Sequence, residues 1–252
     1  MRTFYCLALS IQLKMLHSFK LLLTRLFEKK SMYQYNSNEL MQRGVFKNFT
    51  HDTQSNLEKV GRKISVKEKA TLYNTGDKPL GIYGVISGCI KLTAEDVKGN
   101  YYLYGVKQPG WWFGEISALD GQPHGQVASA MTNTELLLIP REKLIKTLEQ
   151  NPTLYRHFID MLCLRLRGAG QLMEDSAFLD LRLRLAKLLL QIHADRDSYH
   201  AKVSQDELAA SLGVTRQSIY RILKNWQSSN YIAVSYGDIE ILDPSSLQQI
   251  TL

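Results

Sequence analysis

Between residues 62 and 139 apolar and polar positions alternate in short runs broken by glycine, the period-two pattern of strands with one face buried. The pattern predicts strands over residues 63–66, 70–73, 82–87, 89–93, 101–106, 127–131 and 135–139. Turn formers stand between them at Thr75-Gly76-Asp77, Ser87-Gly88, Lys98-Gly99-Asn100 and Gln108-Pro109-Gly110, where a tight reversal costs glycine least. Short strands at this spacing predict a compact antiparallel sandwich or barrel.

After Pro140 the period lengthens to that of helices. Residues 141–149 place Leu144, Ile145 and Leu148 on one side of a short helix. Asn151 is a suitable cap and Pro152 suits a first turn, so a helix without another proline is predicted over residues 152–177. Leu154, Phe158, Met161, Leu162 and Leu172 follow near coiled-coil spacing. At 1.5 Å per residue such a helix is about 38 Å long, more than a small domain needs for its own core. Its simplest partner is a second copy of itself, with Leu154, Phe158, Met161 and Leu162 in the interface. A further helix carries Leu181, Leu185, Leu188, Leu189 and Ile192, and ends near residue 195.

The most specific pattern spans residues 204–224. Ser204 and Glu207 have the spacing of a capping box, so a helix starts there. Ala209 leaves room for a crossing helix, Gly213 supplies a left-handed turn, and Thr215 caps the next helix. On that second helix Ile219, Ile222, Leu223 and Trp226 point one way and Gln217, Tyr220, Arg221 and Lys224 the other, with Arg216 beside them. This is a helix-turn-helix whose second helix fits a DNA major groove. Arg216, Gln217 and Arg221 are placed to meet base edges, and Thr215, Ser218, Tyr220 and Lys224 the DNA backbone. Between Leu208 and Gly237 there are three basic residues and no acid to repel phosphate. Residues 231–234 and 239–241 read as two short strands about a glycine turn, a wing beside the reading helix.

Composition narrows the class. With 252 residues, 44% hydrophobic, 16 Gly and only 6 Pro, the chain is neither collagen-like nor low-complexity. The net charge of +7 resides mostly in residues 1–31, which hold six basic residues and one acid, so global charge says little about DNA. That basic, apolar segment lacks the uncharged run of about 18 residues that a membrane span needs. It reads as an amphipathic surface helix or as an extension dispensable to the fold. Cys6, Cys89 and Cys163 are far apart and odd in number, so a disulfide framework is not expected and the cytoplasm is the expected compartment. The histidines form no metal-ligand spacing, and no catalytic constellation appears, so neither a metal site nor an enzyme is expected.

The order of parts resembles the Crp/Fnr superfamily of bacterial transcription regulators, named for the cyclic-AMP receptor protein and Fnr. The resemblance rests on Gly76-Asp77, residues 83–88, residues 110–115, the Ala177-Phe178-Leu179-Asp180 segment and the helix-turn-helix. It implies an α+β chain. After the extension at 1–31 come a double-stranded β-helix (jelly-roll, cyclic nucleotide-binding-like) domain at 32–150, a dimerisation helix at 151–177, and a winged helix-turn-helix at 178–252. It also implies a homodimer on two-fold double-stranded DNA sites, with RNA polymerase as a partner if the protein activates. The family's nucleotide cassette runs Gly-Glu-x-x-Ala-Leu, then Arg-Ser or Arg-Thr. Here Glu115 is in place, but His124 stands for the arginine and Gly125 for its hydroxyl neighbour. Ala169 and Gly170 stand where the cyclic-AMP receptor presents hydroxyls to adenine. The five form a degenerate pocket expected to reject cyclic AMP, with no cofactor and no effector indicated. An iron-sulfur sensor needs clustered cysteines, and a haem sensor an axial histidine for which only His124 is placed. The competing reading is a membrane-tethered β-roll protein that uses residues 1–31 and turns its winged helix to protein contacts.

Overall fold

The computed structural model describes residues 34–97, 101–194, 203–235 and 238–251; the basic segment at 1–31, Cys6, Gly99 and Gly237 lie outside them. The described chain begins with α1 (Ser37–Met41), a 3-10 turn (Gly44–Asn48) and α2 (His51–Val60). Asn36 and Glu39 form a reciprocal capping box on α1, and Thr50 caps α2 through the Thr53 amide.

Eight strands follow: β1 (Arg62–Val66), β2 (Thr71–Tyr73), β3 (Gly81–Ser87), β4 (Ile90–Glu95), β5 (Tyr101–Lys107), β6 (Trp112–Phe113), β7 (Val127–Ala130) and β8 (Thr134–Pro140). A short helix, α3 (Glu115–Asp120), interrupts them between β6 and β7. The strands form two antiparallel four-stranded sheets, ordered β1-β8-β3-β6 and β2-β7-β4-β5, the strand order of a jelly roll. Tyr83, Val85, Ile90, Leu92, Phe113, Ala128, Leu136 and Leu138 fill the space between the sheets. The alternate residues Ile82, Ile86, Leu137 and Ile139 face outward, into a second core with Leu40, Phe46, Leu57, Leu144, Leu148 and Phe158. Burial on both faces explains why β3 and β8 are apolar almost throughout.

The helical part comprises α4 (Arg141–Gln150), a 3-10 turn (Pro152–Leu154), α5 (Tyr155–Phe178) and α6 (Leu181–Ala194). Then come α7 (Gln205–Leu212), α8 (Arg216–Ser228), β9 (Ile232–Ser235), β10 (Asp238–Ile241) and α9 (Pro244–Ile250). Leu185, Leu189, Leu208, Ile219, Leu223, Trp226, Ile232 and Leu247 make a separate core for this C-terminal unit. α5 runs unbroken through Gly168 and Gly170, although each glycine weakens a helix by about 1 kcal/mol relative to alanine.

The structure corrects the expected interface on α5 at Leu154 and Phe158. Leu154 and Phe158 are buried in the outer core of their own β-roll, and Met161 packs against it. Phe158 meets the rings of Phe46 and Phe49 edge-on, with centroids 6.3 and 6.1 Å away. Leu162 is half-buried beside the cleft described below. The helix carries two apolar stripes, and the one with the bulkier side chains serves the protomer itself. The other runs along Ile159, Cys163, Leu166, Gly170, Met173 and Ala177, alternating steps of four and three residues, and all but half-buried Gly170 are exposed.

Candidate nucleic-acid interface and effector cleft

The helix-turn-helix forms through local signals. Ser204 Oγ accepts from the Glu207 amide while the Glu207 carboxylate accepts from the Ser204 amide at 2.8 Å. Gly213 ends α7 at φ 65°, in the left-handed region that favours glycine. Thr215 Oγ1 accepts from the Ser218 amide at 3.3 Å, so α8 begins at Arg216. Ile219, Leu223 and Trp226 are buried, while Arg216, Gln217, Tyr220, Arg221 and Lys224 are exposed on one side. The Thr215 and Ser218 hydroxyls bond each other at 3.0 Å. Arg216 Nη1 lies 3.5 Å from Asp206 Oδ2. Among the described residues neither Arg221 nor Lys224 has an ion-pair partner, and Lys224 lies 6.0 Å above the Tyr220 ring.

A cleft of about 1630 Å³ opens where α5 passes β5 and α3, and continues to α6 and the turn after α7. At its inner end Arg165 Nη1 donates to Glu115 Oε1, tying the long helix to the start of α3. Glu115 is buried, and among the described residues its Oε2 has no hydrogen-bond partner. Gly114 begins α3 at φ 82°, which lets the backbone pass beside the Tyr83 ring. His124 is also buried and stacks on Tyr73 with centroids 3.6 Å apart and planes 7° from parallel. Its backbone bonds Asp77 O and Gly76 N at 2.9 and 2.8 Å, and among the described residues its Nε2 has no partner. Burial pulls the imidazole below its ordinary value, against the Asp77 charge that pushes it up. Lys107, whose ammonium lies 5.3 Å over the Trp111 ring, is pulled down to about 8 by burial and by the Arg165 charge. At the outer end Lys187 Nζ bonds both Asp175 oxygens at 3.0 Å, and Arg184 Nη1 reaches the Leu212 carbonyl at 3.4 Å.

Residues 63–151 match the cyclic nucleotide-binding domain family, and residues 183–250 the Crp-like helix-turn-helix domain family. The chain belongs to the Crp/Fnr superfamily. Transcriptional regulator SdrP of Thermus thermophilus is 29% identical over 174 residues, 67% of this chain and 82% of its own. The Cyclic AMP receptor protein of the same organism is 27% identical over 189 residues, 75% and 87% of the two chains. The structure of FixK2 from Bradyrhizobium japonicum superimposes with a TM-score of 0.67 at 21% identity, covering 77% of this chain and 98% of that one. The Crp/Fnr assignment makes the chain a DNA-binding transcription regulator, built as a jelly roll, long helix and winged helix-turn-helix.

Within this Crp/Fnr frame the structure brings Glu115, His124, Gly125 and Ala169 together on the cleft wall. Gly170 is corrected: it does not line the cleft. One hundred degrees of helical rotation carries it from Ala169 toward the exposed stripe with Met173. Sequence reasoning missed Lys107, Arg165, Arg184 and Asp206. Arg165 precedes Ala169 by one helical turn, a spacing that could have placed it on the cleft face. Asp206 falls just outside the acid-free stretch from Leu208 to Gly237. Among the described residues no helix is long and apolar enough to cross a membrane, and no three metal-binding side chains gather.

Proposed function

We propose that the protein binds two-fold promoter sites in the cytoplasm as a homodimer and reads bases with Arg216, Gln217 and Arg221. Thr215, Ser218, Tyr220 and Lys224 hold the phosphate backbone, and RNA polymerase is the further partner wherever the bound site activates. The observation that carries this reading is the exposed polar face of α8, capped at Thr215 and anchored behind by Ile219, Leu223 and Trp226. The stripe from Ile159 to Ala177 supports self-association, since its four-three spacing suits a parallel copy of α5. A symmetric dimer sets its two reading helices one DNA turn apart, about 34 to 36 Å.

Control by cyclic AMP is not part of this reading. A buried cyclic phosphate at the cassette would meet neutral His124 and hydroxyl-free Gly125 in place of a bidentate cation and a donor. Selection from random duplexes tests the proposal. The wild type should return a palindrome flanked by guanines, with adenine tolerated where Gln217 reads, and Gln217→Glu should shift that position toward cytosine. An identical site for both proteins would show that Gln217 reads no base.

A further inference from the structure

Asp206 lies in the first turn of α7, and its Oδ2 is 3.5 Å from Nη1 of Arg216, the first residue of α8; the two side chains are 54% and 65% exposed. So exposed an ion pair adds little to stability, and folding does not account for it. For a helix that meets a polyanion, an acid at this end is a handicap, because it repels phosphate and neutralises a cation. Arg221 and Lys224, one and two turns further along α8, have no such partner among the described residues.

Guanidinium chemistry gives the acid a use. An arginine that reads a base bidentately must present two N–H groups in one plane, yet a free guanidinium turns as readily toward the nearest phosphate. We propose that Asp206 is a positioning residue for base reading: its carboxylate engages Nη1 and leaves the edge formed by Nε and Nη2 to meet a base. It also offsets the charge that would draw Arg216 to the DNA backbone. General affinity falls and discrimination at one base pair rises. The inference rests on α8 as the DNA-reading helix.

The test is anisotropy titration of the full chain, at several salt concentrations, on its selected duplex, on single-base variants and on random duplex. The base pair read by Arg216 is the one where Arg216→Ala loses discrimination. Asp206→Asn should bind random duplex about 3- to 10-fold more tightly and steepen the salt slope by about one phosphate contact. It should lower discrimination at the Arg216 base pair by about 5-fold and leave the Arg221 base pair untouched. Asp206→Glu should restore most of that discrimination. Discrimination in Asp206→Asn that is unchanged, or that falls equally at every position, overturns the positioning role. A wild type without any sequence preference overturns the DNA reading itself, and the positioning role with it.

Discussion

In the proposed function, His124 and Gly125 decide at the scale of single residues whether the cleft accepts a cyclic phosphate. A Cβ built on Gly125 meets nothing within 4 Å, so a serine fits there without displacing its surroundings. Arginine in place of His124 gives up the stack on Tyr73, a loss of about 1 kcal/mol, and restores the missing cation. The His124→Arg, Gly125→Ser double variant should bind cyclic AMP at least about 10-fold more tightly than the wild type by calorimetry. His124 also sets a pH dependence. Its folded value is lowered, so the unfolded chain binds more protons below about pH 6.5. The contribution of the neutral, buried ring is complete above that pH. It declines as pH falls toward the lowered folded value, with a slope approaching 1.4 kcal/mol per pH unit. Urea melts at pH 5, 6 and 7 should show this decline in the wild type and a flatter profile in His124→Phe.

On the scale of elements, α5 turns one apolar stripe into the roll and leaves the other, proposed to meet a second copy, exposed. Phe158→Ala removes a ring from the outer core of the roll and should destabilise it by about 3 to 5 kcal/mol without dissociating the protein. Leu166→Asp adds a charge to the exposed stripe and should give a monomer by sedimentation equilibrium, with the roll's thermal midpoint unchanged. The sequence alone does not separate these stripes, because Leu154, Phe158 and Met161 obey the same periodicity whether they face the roll or a copy of the chain. Signals contained within one turn are legible. Ser204 with Glu207, Gly213 and Thr215 each act on backbone groups three or four residues away, and each is found in its expected role. The strand positions are legible for the same reason, down to one or two residues at each end. β6 is only two residues long, and α1 and α2 owe their place to packing on β3 and β8, which no local pattern records. The cleft is legible only through resemblance: Arg165 is fifty residues from Glu115 and reaches it only once the long helix lies beside the roll.

For the whole molecule, coupling between the roll and the DNA-binding unit has physical content in a few contacts. α7 packs on β5, Arg184 reaches the Leu212 carbonyl, and Lys187 grips Asp175 across the bend from α5 to α6. Lys187→Ala frees that bend at a cost of about 1 kcal/mol. Hydrogen exchange should quicken in α6 and α7 and stay unchanged in β3 and β8. The strand order also dictates when the roll can form. Among the described residues β8 is the only link between β1 and β3, and β7 the only link between β2 and β4. Both links come last in the roll. On the ribosome, β3 can pair with β6 and β4 with β5, but β1 and β2 wait without a partner, and β3 and β4 each keep an open edge, until β7 and β8 slot between them. The helix-turn-helix, built from neighbours in sequence, should refold in the fast phase and the roll in the slow one. A nascent chain halted before Val127 should engage chaperones, and one extended past Pro140 should be released.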